Sequence, residues 1–289
     1  MQENFGAFER CVRKAEALKK KMRVALVCPD EGVARVALRA KAKGLAEPVA
    51  FGMEPIEGMQ TQLAGSPQEA AENALELCVK GGADTVMKGL LNTNTFLKTV
   101  VRSSFRTSYL THCSILDIEG FGHPIVVSDG TVTPFPDLSQ KIEITKNAVR
   151  CARLLERAPV KVAVLSANEL VLPGIPSGSD ARELSRMAGE GAIPEAVVDG
   201  PIALDSALSK EACEKKGLRF AFTPPADVLI CPDLESAAML IKAAVYLAKA
   251  RVAGLLWGAR RPIVLTSRAD SEESKYVSLC LCKLAMEEE

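Results

Sequence analysis

Short apolar runs recur along the chain, each followed by a longer stretch in which apolar residues return every three or four positions. The runs at Val24–Cys28, Val49–Phe51, Thr85–Met87, Ile125–Val127, Lys161–Leu165, Val228–Cys231 and Ile263–Thr266 predict strands. Several are apolar throughout instead of alternating, the pattern of strands covered on both faces. Gln68–Val79, Ser139–Glu156, Ala181–Ala188, Ser236–Ala250 and Ser271–Met286 predict helices, and the first 20 or so residues predict an amphipathic helix running into a strand. Strand-helix alternation of this kind predicts an α/β fold with mainly parallel sheets, in which ligands gather beyond the carboxyl ends of strands. The helix Ser139–Glu156 ends shortly before Pro159 and a fresh strand, so a seam is expected there. Two α/β lobes with a cleft between them follow from this reading.

Composition narrows the classes. Of 289 residues, 48% are hydrophobic and 25% charged, enough apolar material for a sizeable core. The formal net charge is zero, which argues against a general nucleic-acid binder. Nine scattered cysteines without a CxxC pair read as reduced, buried thiols, and two histidines unconnected to them make a zinc site improbable. The N-terminus lacks an apolar signal core and no apolar stretch is long enough to span a bilayer, so a cytoplasmic location and no membrane partner are expected.

Five segments carry candidate chemistry. In "IVLTSRADSEESK" a strand turns into the last helix at Ser267-Arg268. Free amides at a helix start attract anions, and an arginine adds a forked contact to phosphate. Asp270 with Glu273 fits a capping box. In "SANELVLPGIPSGSDARELSRMA" a strand ends at Ser166, and Ser177, Gly178 and Ser179 precede a helix capped by Ser179 or Asp180; Gly178 suits a close backbone approach to a ligand. In "ADTVMKGLLNTNTFLKTVVR" Lys88 and Gly89 end a strand and Asn92 to Thr95, Thr93 among them, offer helix caps. In "IVVSDGTVTPFPDLSQK" Asp129 is either functional or the centre of an Asx turn. In "VVDGPIALDSALS" Asp199-Gly200-Pro201 signals a turn and Asp205 a helix cap. No Walker loop and no GxGxxG occurs.

Taken in order, MKGLLNTNTFLKTVVR, THCSILD, VSDGTVTPFPDLSQK, VAVLSANELVLPGIPSGSDA, VDGPIALDSALS, ADVLICPDLESA and GARRPIVLTSRADSEESK resemble the phosphate acetyltransferase/phosphate butyryltransferase family, nearer its butyryltransferase branch. The resemblance extends from about residue 24 to the C-terminus. It implies the two-lobed fold of isocitrate and isopropylmalate dehydrogenases. The first lobe would then be residues 1–149 plus 258–289 and the second 150–257. It implies a homodimer and small-molecule substrates. It also implies a reversible reaction in the cleft: acyl-CoA plus phosphate gives acyl phosphate plus CoA, with no cofactor and no metal. Ser267 and Arg268 match the family's Ser-Arg pair for thioester and phosphate, with Asp270 or Glu273 as base. Lys88, Gly89, Thr93, Asp129, Ser166, Ser177, Gly178 and Ser179 are then candidate substrate-binding residues. Two departures stand out: Ala237-Ala238 replaces the family's usual Gly-Asn pair, and Thr223-Pro224-Pro225 lacks the usual glycine. They motivate an alternative, a non-catalytic paralogue that binds CoA or acyl phosphate. A decarboxylating dehydrogenase on the same fold is the other rival.

Overall fold

The computed structural model describes residues 6–287. In chain order the elements are α1 Ala7–Ala17, β1 Met22–Val27, α2 Glu31–Ala42, β2 Ala46–Gly52, β3 Gln60–Leu63, α3 Pro67–Val79, β4 Thr85–Lys88, α4 Thr93–Arg102, β5 Arg106–Asp117, β6 Ile125–Ser128 and α5 Leu138–Arg153. They continue with β7 Val160–Leu165, α6 Pro176–Gly189, β8 Ala196–Ile202, α7 Leu204–Leu208, α8 Lys210–Lys216, β9 Val228–Ile230, α9 Leu234–Tyr246, β10 Arg251–Ala259, β11 Ile263–Val264 and α10 Glu272–Glu287. The architecture is mixed α/β and mostly parallel. Among the described residues no helix is long and apolar enough to cross a membrane.

The chain divides into two compact units, residues 1–110 with 252–289, and residues 111–251. Residues 1–5 and 288–289 of the expected first lobe lie outside the described residues. The dividing points fall at 110/111 and 251/252, where 149/150, near Pro159, and 257/258 are expected from the sequence. The physical reason is pairing: β6 is hydrogen-bonded in parallel to β9, and α5 packs on β6, β7 and β9, so both belong with the second unit.

In the first unit the strands lie in the order β3-β2-β1-β4-β11-β10, with β10 antiparallel to β11 and the others parallel. β1 is buried except at Arg23 and β4 is buried throughout, Thr85 and Lys88 included, while the edge strand β3 is the polar, exposed QTQL. Asp30, Ser66 and Asn92 cap α2, α3 and α4 by accepting backbone N–H groups. Register places Val27 beside Lys88 and Met87 beside Val264. The loops after β1, β4 and β11 therefore leave the sheet side by side.

In the second unit the order is β5-β6-β9-β7-β8, parallel except for the β5–β6 pair. Asp137 with Gln140 and Asp233 with Ser236 form capping boxes on α5 and α9. The expected turn at Asp199-Gly200-Pro201 is instead inside β8. The β7–β8 register shifts between Ala163 and Leu165, so Gly200 and Pro201 sit at an irregularity. A side chain at Gly200 would meet Val164 Cβ and O at 2.8 Å, which is why the strand carries glycine there. Helix α6 starts at Pro176, five residues before the expected Ala181, with the proline in its first turn. Its N-cap is Ile175, so neither Ser179 nor Asp180 caps it. Asp205 lies within α7 and accepts Ser206 N–H at 2.9 Å, and Ser209 caps the following α8.

Candidate active site

Seven of the twelve candidate residues lie in the first unit, at the end of β4 and the start of α4, on the turn after β11 and in the first turn of α10. Ser267 to Asp270 form a turn after β11. Asp270 Oδ2 accepts Ser267 N–H at 2.7 Å, and Asp270 N–H returns to Ser267 O at 3.2 Å. Ser267 Oγ accepts the N–H of Ala269 at 3.3 Å, and its own proton has no acceptor among the described residues. Arg268 is exposed and has no ion-pair partner among the described residues.

The expected capping box is one residue out of place. Ser271 caps α10: its Oγ accepts Ser274 N–H at 3.1 Å and its carbonyl accepts Lys275 N–H at 3.1 Å. That frees Asp270 to hold the turn. Glu273 points to α2, where Arg39 Nη1 binds its Oε2 at 2.6 Å and the same guanidinium lies 3.8 Å over the Tyr276 ring. Between the two carboxylates left open by the sequence, the geometry therefore favours Asp270. Burial pushes its carboxyl above the ordinary range, against the Ser267 N–H and the Lys275 charge that pull it down.

Lys88 ends β4 with only 3% of its surface exposed. Its Nζ donates to the carbonyls of Gly89 at 2.9 Å and Leu91 at 3.1 Å, with no carboxylate in ion-pair contact among the described residues. Burial pulls its ammonium down to about 8. The Arg268 and Lys275 charges add to that, while Asp30 and Cys28 oppose it. Arg268 and Lys275 thus lie within electrostatic reach of Lys88. Gly89 has a packing role: a Cβ there would sit 2.1 Å from Cys28 O and 2.7 Å from Val27 O. Thr93 is the first residue of α4, half-buried, next to the Asn92 cap.

The other five candidates lie in the second unit. Ser166, at the end of β7, and Ser177, in the first turn of α6, share a hydrogen bond of 3.0 Å between their hydroxyls. Ser179 donates to Pro176 O at 2.9 Å. Gly178 is approached by the chain itself, not by open space: a Cβ there would meet Leu170 O at 3.0 Å. The first turn of α6 has no side-chain cap, so its amides keep their attraction for an anion. Asp129 makes the Asx turn after β6. Its Oδ1 accepts Thr131 N–H at 2.9 Å and Val132 N–H at 3.1 Å, while Oδ2 is buried without a hydrogen bond. Burial pushes its carboxyl up to about 7, opposed by those amides and by the nearby N–H groups of His112 and Thr133. Of the two departures, Ala237 and Ala238 pack on the Gly130 backbone, and Thr223 O accepts Lys161 Nζ at 3.0 Å.

Sequence reasoning passed over Lys275 and Asp30, which complete the charged surroundings of Lys88. The available signal for Lys275 was its place in KYVSLCLC, a helical segment with no polar face.

A strand-end turn thus presents a serine hydroxyl and an arginine near a buried lysine in an α/β protein. The chain belongs to the family described as Phosphate acetyl/butaryl transferase, which it matches over residues 58–282. It is 38% identical to a phosphate acetyltransferase of Thermotoga maritima over 94% of this chain and 97% of that one. It is 34% identical to a phosphate butyryltransferase of Clostridium acetobutylicum over 96% of this chain and 97% of that one. Its structure resembles a branched-chain phosphotransacylase from Enterococcus faecalis with a TM-score of 0.82 and 27% identity, covering 91% of this chain and 98% of the other.

Proposed function

We propose that the protein is a phosphate acyltransferase that interconverts short-chain acyl-CoA plus phosphate with acyl phosphate plus CoA, using no resident cofactor. The observation that carries this reading is the Ser267–Asp270 turn, with Arg268 and buried Lys88, at the ends of adjacent strands, lacking carboxylate partners among the described residues. A buried cation without a counter-charge is costly, and a phosphate dianion offsets that cost.

In the acyl-phosphate-forming direction a phosphate oxygen attacks the thioester carbonyl carbon. The C–O bond forms, the carbonyl oxygen takes up negative charge, and the C–S bond then breaks with its electron pair leaving on sulfur. Arg268 and Lys88 hold the phosphate. The Ser267 hydroxyl donates to the carbonyl oxygen as it becomes an oxyanion, a contact of the kind worth about 2.7–4 kcal/mol. In the reverse direction Asp270 removes the proton of the CoA thiol. Its raised affinity for protons makes it a better base than an ordinary carboxylate toward a thiol of pKa about 8.5. Holding both reactants in line supplies much of the remaining acceleration. In the second unit, Asp129, Ser166, Ser177, Gly178 and Ser179 are assigned to substrate binding, a reading supported by the uncapped start of α6.

The discontinuous first unit supports a two-lobed fold of the isocitrate/isopropylmalate dehydrogenase type. A cytoplasmic homodimer is proposed alongside. The nine free, buried cysteines support the reducing compartment. The apolar stripe Met239, Ala243, Tyr246 and Leu247 of α9 and the residue after it, with Met239 65%, Tyr246 62% and Leu247 82% exposed, supports self-association.

The test is thiol release from acetyl-, propionyl-, butyryl- and isobutyryl-CoA with and without phosphate. Phosphate-dependent release is expected with at least one of them, and Arg268→Ala should lower kcat/KM for phosphate by roughly a hundred-fold. A wild-type protein that releases no thiol with any of the four overturns the assignment.

A further inference from the structure

Lys275 is a lysine in the first turn of α10 with 6% of its surface exposed. Its Nζ donates to Asp270 O at 2.6 Å, closing the Ser267–Asp270 turn from below. It has no carboxylate in ion-pair contact among the described residues. Its charge acts on two groups at once: it favours the ionised Asp270 and opposes protonation of Lys88. The same neighbourhood holds Arg268 on the turn, Asp30 at the cap of α2 and Cys28 at the end of β1. Two buried ammonium groups and an adjacent guanidinium thus face a single nearby carboxylate cap and a carboxyl committed to the turn. Such an excess of positive charge is costly, and a bound anion would offset it.

We infer that Lys275 is a third cation of the phosphate site and the residue that positions the Ser267-Arg268 turn, through its bond to the Asp270 carbonyl. The inference rests on the phosphate-acyltransferase reading. It predicts that phosphate recognition depends on α10 as well as on the turn. It also predicts that Lys275 sets the pH range in which Lys88 remains charged. Repulsion from Lys275 lowers the proton affinity of Lys88, so removing that charge should raise it.

The experiment compares wild type with Lys275→Met, Lys275→Gln and Lys275→Arg. Inorganic phosphate and sulfate are the probes, read by thermal shift at constant ionic strength and by steady-state kinetics. Phosphate affinity and KM for phosphate should worsen roughly ten-fold or more in Met and Gln, with KM for acyl-CoA unchanged and substantial rescue in Arg. Sulfate keeps its charge across the alkaline range. Its binding to wild type should therefore weaken as pH rises through about 8, where Lys88 loses its proton. In Lys275→Met that midpoint should move upward. Lys275→Gln retains a donor for the Asp270 carbonyl, so it tests the charge alone should the Met variant fold poorly. Wild-type phosphate affinity with an unmoved alkaline midpoint in a neutral variant overturns the inference while leaving the acyltransferase intact. Phosphate binding that depends on Lys275, without thiol release from any acyl-CoA, overturns the activity and keeps the anion site.

Discussion

Asp270 and Glu273 stand three residues apart and look interchangeable in sequence, yet their surroundings separate them. Glu273 is neutralised by Arg39, whereas Asp270 is half-buried, bonded to the Ser267 amide and displaced upward in proton affinity. Asp270→Asn should therefore cost roughly a hundred-fold or more in kcat for the CoA-consuming direction. Glu273→Gln should stay within a few-fold and lose at most about 1 kcal/mol of stability, since its pair with Arg39 is exposed. Parallel kinetics and chemical denaturation of the two variants decide it; equal kinetic losses would remove Asp270 from its role. At this scale the turn that carries Ser267 and Arg268 was legible because an apolar run gives way there to helix-capping residues. The cap was not, because Asp270 and Ser271 are equally good N-caps by type and only the backbone chooses between them. Lys275 was hidden because spacing along a helix does not say that a lysine is buried.

Elements were legible where pattern and propensity agreed. β1, β4, β6, β7 and β9 are each built around a short apolar run, and α3 and α5 were placed to within a few residues. The failures have local causes. β5 begins with the polar Arg106-Thr107-Ser108, and β8 contains a glycine-proline pair that mimics a turn. The residues before α6 read as loop through Pro173 and Gly174, although Pro176 is well suited to a first helical turn. Gly89 shows how an element sets a site. β4 passes so near β1 that any side chain at this position would overlap the Cys28 carbonyl. Gly89→Ala should destabilise the protein by about 3 kcal/mol or more, measured by denaturant unfolding. A change under about 1 kcal/mol would mean that the β4 exit is pliable.

For the whole molecule, the α/β class and a discontinuous first unit could be expected from alternation and family resemblance. The dividing points could not, because strand pairing between distant segments, β6 with β9 above all, leaves no local mark. The α9 stripe makes the proposed dimer testable at this scale. Met239→Asp together with Leu247→Asp should convert a dimer into a monomer in sedimentation or light scattering, at a stability cost within about 1 kcal/mol for the isolated chain. A wild-type protein that is monomeric at all concentrations would end the dimer proposal.

The segment that carries Ser267, Arg268 and Lys275 follows β11, a strand inserted between β4 and β10 long after β4 has been made. During synthesis the Lys88 ammonium must wait beside a vacant strand position. On the proposed function, a growing chain gains its affinity for phosphate only as its last strand is threaded home.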